Sequence, residues 1–475
     1  MKGIFMKAWE FEHKLTADAV PPELHDDNEA DWMTYTEAGR ASDKQLFHDW
    51  DNKVPGSKAP CDVVIAAIQS MHNRGYDVTG AEQFMEEGLK ASEEKDGAAI
   101  QVATAKIFHA LNEAPKDPSS PYWNYHTYRT FADVEREADF GPAAPYDVFS
   151  DDFAKKVTAG WMGQLIGGCL GTQIEGYTTD QIRKRFGEVY GYLRRPETYN
   201  DDITYEIAYL DGFLEKGYEI TPADVAYKWL ELISDGYSAE KTAIENLRRG
   251  LLPPESGTTN NYFYDWIGAQ MRTPLHGMLA PGNPALAARL AADDSIVSHS
   301  NNGMLGGIFN ALLTSLAFTE THIRTVVEKA VDMIPHKSEY YDVVKHALDL
   351  CKENTSWEPV WAACEERYKE YNWIHAYPNA AAEVIALWFG NMDFRETCHI
   401  IAMEGQDADC TAAPVLNTLA IMIGLDVIDD SYIRPIGDRI LTTMRRYQNF
   451  KISELCQWTT DAVRDAVKKQ KGSRK

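Results

Sequence analysis

Two short acidic stretches carry the residue types best suited to chemistry: Asn200-Asp201-Asp202 and Gly405-Gln406-Asp407-Ala408-Asp409-Cys410-Thr411. Each stands just before an apolar segment of helical period. Asp and Asn are favoured at helix starts, where they accept from free backbone N–H groups and complement the dipole. Capping accounts for one acidic residue at each place. Two adjacent aspartates exceed what a cap requires, so one can cap while the other points elsewhere. In an extended segment, residues i and i+2 face the same side. Asp407 and Asp409 can therefore present two carboxylates to one point. Buried like charges need a proton or a cation, and a hard cation with oxygen ligands is the economical answer. No histidine–cysteine cluster has the spacing of a soft-metal site. Two pairs give four carboxylates, enough for two ions of magnesium or manganese. Whether the pairs meet in space is left open by their spacing.

The elements that must position these pairs are helices. Segment 153–170 (FAKKVTAGWMGQLIGGCL) has an apolar stripe through Val157, Trp161, Leu165 and Leu170, and several glycines. Each glycine costs a helix about 1 kcal/mol. Close packing is the usual compensation, so this helix is expected to be central, with Trp161 in the core. Segments 203–215, 222–234, 285–293, 304–318, 322–333, 340–352 and 380–390 also read as amphipathic helices. Segment 411–424 is almost wholly apolar beyond its start and is expected to be buried. Alternating strand patterns are scarce, so the fold class is all-α.

Ahead of this lies a region of different character. Residues 1 to about 56 are polar, with proline and charge (VPPELHDDNEADW) that argue against continuous regular structure. Trp9, Trp32 and Trp50 indicate that the segment packs on something. Helices are expected at 61–72, 82–92 and 97–112. The stretch EAPKDPSSPYWNYHTY reads as a linker. The expected division is a helical accessory region, 1–145, followed by a catalytic domain, 146–475.

The chain has 475 residues, with 47 Lys+Arg against 72 Asp+Glu and a formal charge of −25. That sign disfavours a nucleic-acid backbone or an anionic membrane as partner. Seven cysteines without a CxxC fit a reducing compartment. The first residues form neither a signal peptide nor an anchor, and no apolar run approaches a membrane span. A cytoplasmic location is the expectation.

Four blocks, in order, resemble the ADP-ribosylglycohydrolase family, which includes the dinitrogenase-reductase activating glycohydrolases. Gly163 to Gly171, followed by Ile174-Glu175-Gly176, resembles its "GxxxGDALG…xEG" helix and loop. Asn200-Asp201-Asp202 resembles its "TDD" motif. Ser298-His299 followed by Gly303 to Phe318 resembles "SHxxxGxxG". Gly405 to Ala413 resembles "GxDxD[TSC]xAA". Looser matches are Ile267 to Arg272 and His375 to Ala380. The resemblance spans roughly residues 150–425.

The resemblance implies an orthogonal all-α bundle with a central site for one or two Mg2+ ions. It implies Asp201, Asp202, Asp407 and Asp409 as carboxylate ligands. Asn200 and Cys410 stand where the family often has threonine ligands. An amide oxygen still suits a hard cation, but a thiol suits it poorly, leaving Thr411 or water to take that place. Glu175, on a loop that is mobile in the family, is implied near the reacting carbon as general base or water-orienting group, with Asp202 and Asp407 close by. Gly268, Arg272, Ser298, His299 and Gly303 are implied to line the ribose and phosphate end, Gly268 and Arg272 beside a phosphate; a satisfied packing histidine is the competing reading of His299. His375 and Asn379 are expected to brace the scaffold.

The implied substrate is a ribosyl-containing small molecule or an ADP-ribosylated macromolecule. A hydrolase of N-ribosyl or other small glycosides is an alternative. A noncatalytic, crystallin-like role is a third reading. Retention of all four aspartates argues against the last.

Overall fold

The computed structural model describes residues 7–21 and 30–473. The first six residues and most of the proline-containing stretch, 22–29, lie outside them. The described chain is all-α, as expected. Its sheet consists of two antiparallel pairs, Asn52–Lys53 with Pro60–Cys61 and Ile440–Leu441 with Asn449–Phe450.

Among the described residues, the most extensive helix–helix packing joins helix Asp151–Gly171 to helix Ala408–Ile423. The glycines explain how. A Cβ on Gly167 would stand 2.3 Å from the backbone of Ala412, and one on Gly171 would stand 2.1 Å from the Asp409 nitrogen. Only glycine allows that approach, and the packing gained offsets its low helix propensity. The stripe therefore sets where the second acidic pair sits. Every residue of helix Asn301–Ala317 is buried beside this pair. Trp161 is fully buried, and its Nε1 donates to Thr459 Oγ1 at 2.9 Å on the C-terminal helix Ile452–Ser473.

The expected helices are present, with shifted ends. Helices Thr179–Phe186, Ser238–Arg248, Trp357–Arg367, Phe394–Glu404 and Ile452–Ser473 were not anticipated. Charged residues lower the mean hydropathy of most of them, so each is held by packing one narrow apolar face on the core.

Two expectations for the N-terminal region are corrected. Residues 1–56 are not irregular throughout: helices Ala8–Asp18 and Ala30–Trp50 form there. Of the three tryptophans only Trp50 packs. Its ring fills the space above Gly88 and its Nε1 donates to Thr104 Oγ1 at 2.8 Å, whereas Trp9 and Trp32 are exposed. The stretch 113–128 is a packed strap and not a free linker. Tyr122 and Tyr128 are buried, and both are bonded to Asn301: Asn301 Nδ2 donates to the Tyr122 hydroxyl at 3.1 Å, and Tyr128 N donates to Asn301 Oδ1 at 3.0 Å. Aromatic burial overrides the turn-forming composition.

Candidate metal centre

The two acidic stretches meet. Ligand atoms of Asp201, Asp202 and Cys410 lie within 4.8 Å of one another, and so do those of Asp407, Asp409 and Cys410. Cys410 is thus the residue common to both groups. N-capping by the cap residue does not account for either stretch. Asn200 and Asp407 occupy the N-cap positions of helices Asp201–Lys216 and Ala408–Ile423, and neither makes a side-chain capping bond.

Asp202 is fully buried, and Asp407 and Asp409 nearly so. Asp201 is exposed, although protein closely surrounds its carboxylate. Burial, then the charge of Asp409, pushes Asp201 up to about 6. Burial, reinforced by neighbouring carboxylates, raises Asp202 and Asp407 well above the usual range. Burial also raises the Cys410 thiol, which keeps it protonated.

Both carboxylate oxygens of Asp202, one of Asp409 and both amide atoms of Asn200 are buried without a protein partner. Buried polar atoms are normally satisfied. Unpartnered oxygens from two converging pairs fit a hard cation held by oxygen donors. Thr411 directs its hydroxyl to the Asp407 and Ala408 carbonyls at 3.0 and 3.3 Å, so its proton is spent on its own helix.

Two loops brace the centre. Gly176 N donates to Gln406 O at 2.7 Å and Gln406 N to Tyr177 O at 3.2 Å, which zips the Glu175 loop to the Asp407 loop. A Cβ on Gly405, where φ is +69°, would stand 2.0 Å from Tyr177 O. Asn379 braces as expected: its Oδ1 accepts from Asp407 N at 3.1 Å, and its Nδ2 donates to the carbonyls of Trp373 and His375 at 2.8 Å. His375 accepts from Tyr377 N at 3.2 Å at the start of the same helix. Glu175 is buried beside Asp409. Burial, and next the charge of Asp409, pushes it up to about 12 while no cation offsets that charge.

Gly268, Arg272, Ser298 and His299 are brought together, but as a buried network. Arg272 donates to Asp294 Oδ2 and Glu240 Oε1 at 2.8 and 2.9 Å, to the Gly268 and Asp294 carbonyls at 2.7 and 3.3 Å, and to Ser298 Oγ at 3.1 Å. A guanidinium has five N–H donors, and these contacts use all of them. The expected pairing of Arg272 with phosphate is corrected accordingly: its partners are two buried carboxylates. Ser298 Oγ lies 2.7 Å from His299 Nδ1, leaving His299 Nε2 without a protein partner. Burial lowers His299 well below the usual range, so the ring is neutral. Gly303 lets its helix approach the Tyr264 carbonyl, which would stand 2.1 Å from a Cβ.

Sequence reasoning missed Glu240 and Asp294, which hold Arg272, and the 52–61 hairpin beside Glu175. No local pattern marks them, because each acts through a partner distant in the chain.

A family model for ADP-ribosylglycohydrolase matches residues 150–467. An uncharacterized protein of Archaeoglobus fulgidus is 26% identical over 263 residues, which are 53% of this chain and 82% of that protein. A solved structure described as an ADP-ribosylglycohydrolase-related protein complex aligns with 66% of this chain and 98% of its own, at 19% identity and a TM-score of 0.47.

Proposed function

Because the chain belongs to the ADP-ribosylglycohydrolase family, we propose that it is a magnesium-dependent hydrolase cleaving the glycosidic bond at C1 of a ribosyl group, in an ADP-ribosyl substrate. One observation carries this reading: two aspartate pairs far apart in the chain converge on Cys410 with buried oxygens left unpartnered.

Asp201, Asp202, Asp407 and Asp409 would hold one or two ions, with Asn200 Oδ1 as a neutral donor. Bound magnesium supplies positive charge that orients ribose hydroxyls and makes a water more acidic. Glu175, buried beside Asp409, would accept the proton of the water that attacks C1. Asp202 and Asp407 would help to orient that water. The bond from C1 to the leaving group breaks through an oxocarbenium-like state, as in other glycoside hydrolyses. The Arg272 network fixes Ser298 and His299 behind the site.

Asp409→Ala is the direct test. Calorimetry is expected to show loss of magnesium binding, and turnover of an ADP-ribosylated substrate should fall to background with the circular dichroism unchanged. Full turnover with magnesium still bound overturns the assignment. Free nucleosides assayed in parallel distinguish an N-ribosyl hydrolase.

A further inference from the structure

The hairpin of Asn52–Lys53 and Pro60–Cys61 belongs to the region outside the family match, yet its turn lies on the Glu175 loop. Ser57 N donates to Glu175 Oε1 at 3.4 Å. Gln173 Nε2 donates to Gly56 O at 2.8 Å, and the Tyr177 hydroxyl donates to Ser57 O at 3.1 Å. A Cβ on Gly56 would stand 2.4 Å from the Thr172 carbonyl oxygen and 2.9 Å from Glu175 Oε1. Ala59 is fully buried against Gly176. The strand ends are tied down by Tyr237, whose hydroxyl lies 2.6 Å from Cys61 Sγ and accepts from Asn52 Nδ2 at 3.3 Å.

Loop 54–59 therefore rests on loop 172–177, which is zipped to loop 405–407. The result is asymmetric. Glu175, Asp202, Asp407 and Asp409 are buried, and Asp201 is the aspartate of the centre that meets solvent. The centre opens beside Asp201 and is walled on the Glu175 side. A folded protein offering a modified side chain needs free space around C1 on every side from which its surface approaches. A small leaving group needs only the opening.

We propose that this hairpin is a specificity-determining wall: it positions Glu175 and confines turnover to an ADP-ribosyl group on a small leaving group. This rests on the glycohydrolase reading above. Gly56 and Ser57 are its positioning residues.

The test compares arginine- and serine-linked ADP-ribose, each as the free amino-acid derivative and as an intact modified protein. The bond is the same within each pair and only the bulk of the leaving group differs. For the wild-type chain with magnesium, kcat/KM for a small derivative is expected to exceed that for its protein-borne partner by about 100-fold. Gly56→Val forces the turn off Thr172. It is expected to lower kcat on the small derivative with KM little changed, and to raise kcat/KM on the modified protein. If that variant fails to fold by circular dichroism, the double variant Gln173→Ala/Tyr177→Phe removes two anchors without adding volume and is read the same way. Equal wild-type turnover of small and protein-borne substrate overturns the wall. So does a variant that slows both in proportion, which is the behaviour of a structural strut. No turnover of any of the four by the wild type sinks the glycohydrolase reading, and the wall with it.

Discussion

Asp202 and Asp409 keep carboxylate oxygens that no protein donor reaches, which on the proposed reading is where a cation would complete the charge balance. Without a cation, burial favours the protonated forms of Asp201, Asp202 and Asp407. Asp201 rises to about 6 in the fold, against about 4 in an unfolded chain. Its contribution to metal-free stability is therefore full below about pH 4 and is lost as pH rises through about 6. Magnesium competes with those protons. The rise in Tm on adding magnesium should grow as pH increases across that window, and a pH-independent rise would count against a carboxylate site. Asn379 holds the backbone of Asp407, and Asn379→Ala should weaken magnesium affinity about 10–100-fold, the usual cost of losing a residue that orients a ligand. Cys410→Thr exchanges a protonated thiol for a hydroxyl oxygen and should tighten magnesium binding in the same titration. The aspartates were legible in the sequence because two acidic residues before a helix exceed a cap. The central place of Cys410 was not, since it depends on two helix starts meeting.

At the scale of elements, the centre depends on two helices held at contact distance by glycines. Gly167→Ala places a methyl against the Ala412 backbone and should cost about 1–3 kcal/mol or more by overpacking, read by urea denaturation. Magnesium affinity should fall with it, because the same contact seats Asp409. The network on Arg272 makes a separate demand. Arg272→Met leaves Glu240 and Asp294 buried without their cation and should destabilise by about 3–5 kcal/mol. The helical stripe and its glycines predicted a central, closely packed helix, and that expectation holds. Arg272 was misread because a phosphate and a pair of carboxylates make the same demand on a guanidinium, and local sequence does not say which is near.

At the scale of the whole molecule, the N-terminal region and the family-matched region share one hydrophobic core. Ser70 Oγ donates to the Tyr262 carbonyl at 2.6 Å, and Phe108 stacks on Tyr262 with ring centroids 5.3 Å apart. We propose that residues 50–145 are an integral part of the catalytic body. A chain beginning at residue 146 would expose that shared surface and is expected to aggregate on size-exclusion chromatography. A monodisperse, folded truncation would show the two regions to be independent. Among the described residues no helix is long and apolar enough to cross a membrane.

By itself the sequence determined the all-α class and the family, and it marked the four aspartates as candidate ligands, because helical period, motif order and excess acidic residues are local properties. Only the tertiary structure decided that the two pairs share Cys410, that Arg272 is consumed by buried carboxylates, and that a hairpin from outside the family match rests on Glu175. Each of these is a contact between residues far apart in the chain. Packing chooses such partners, and no spacing along the chain encodes them.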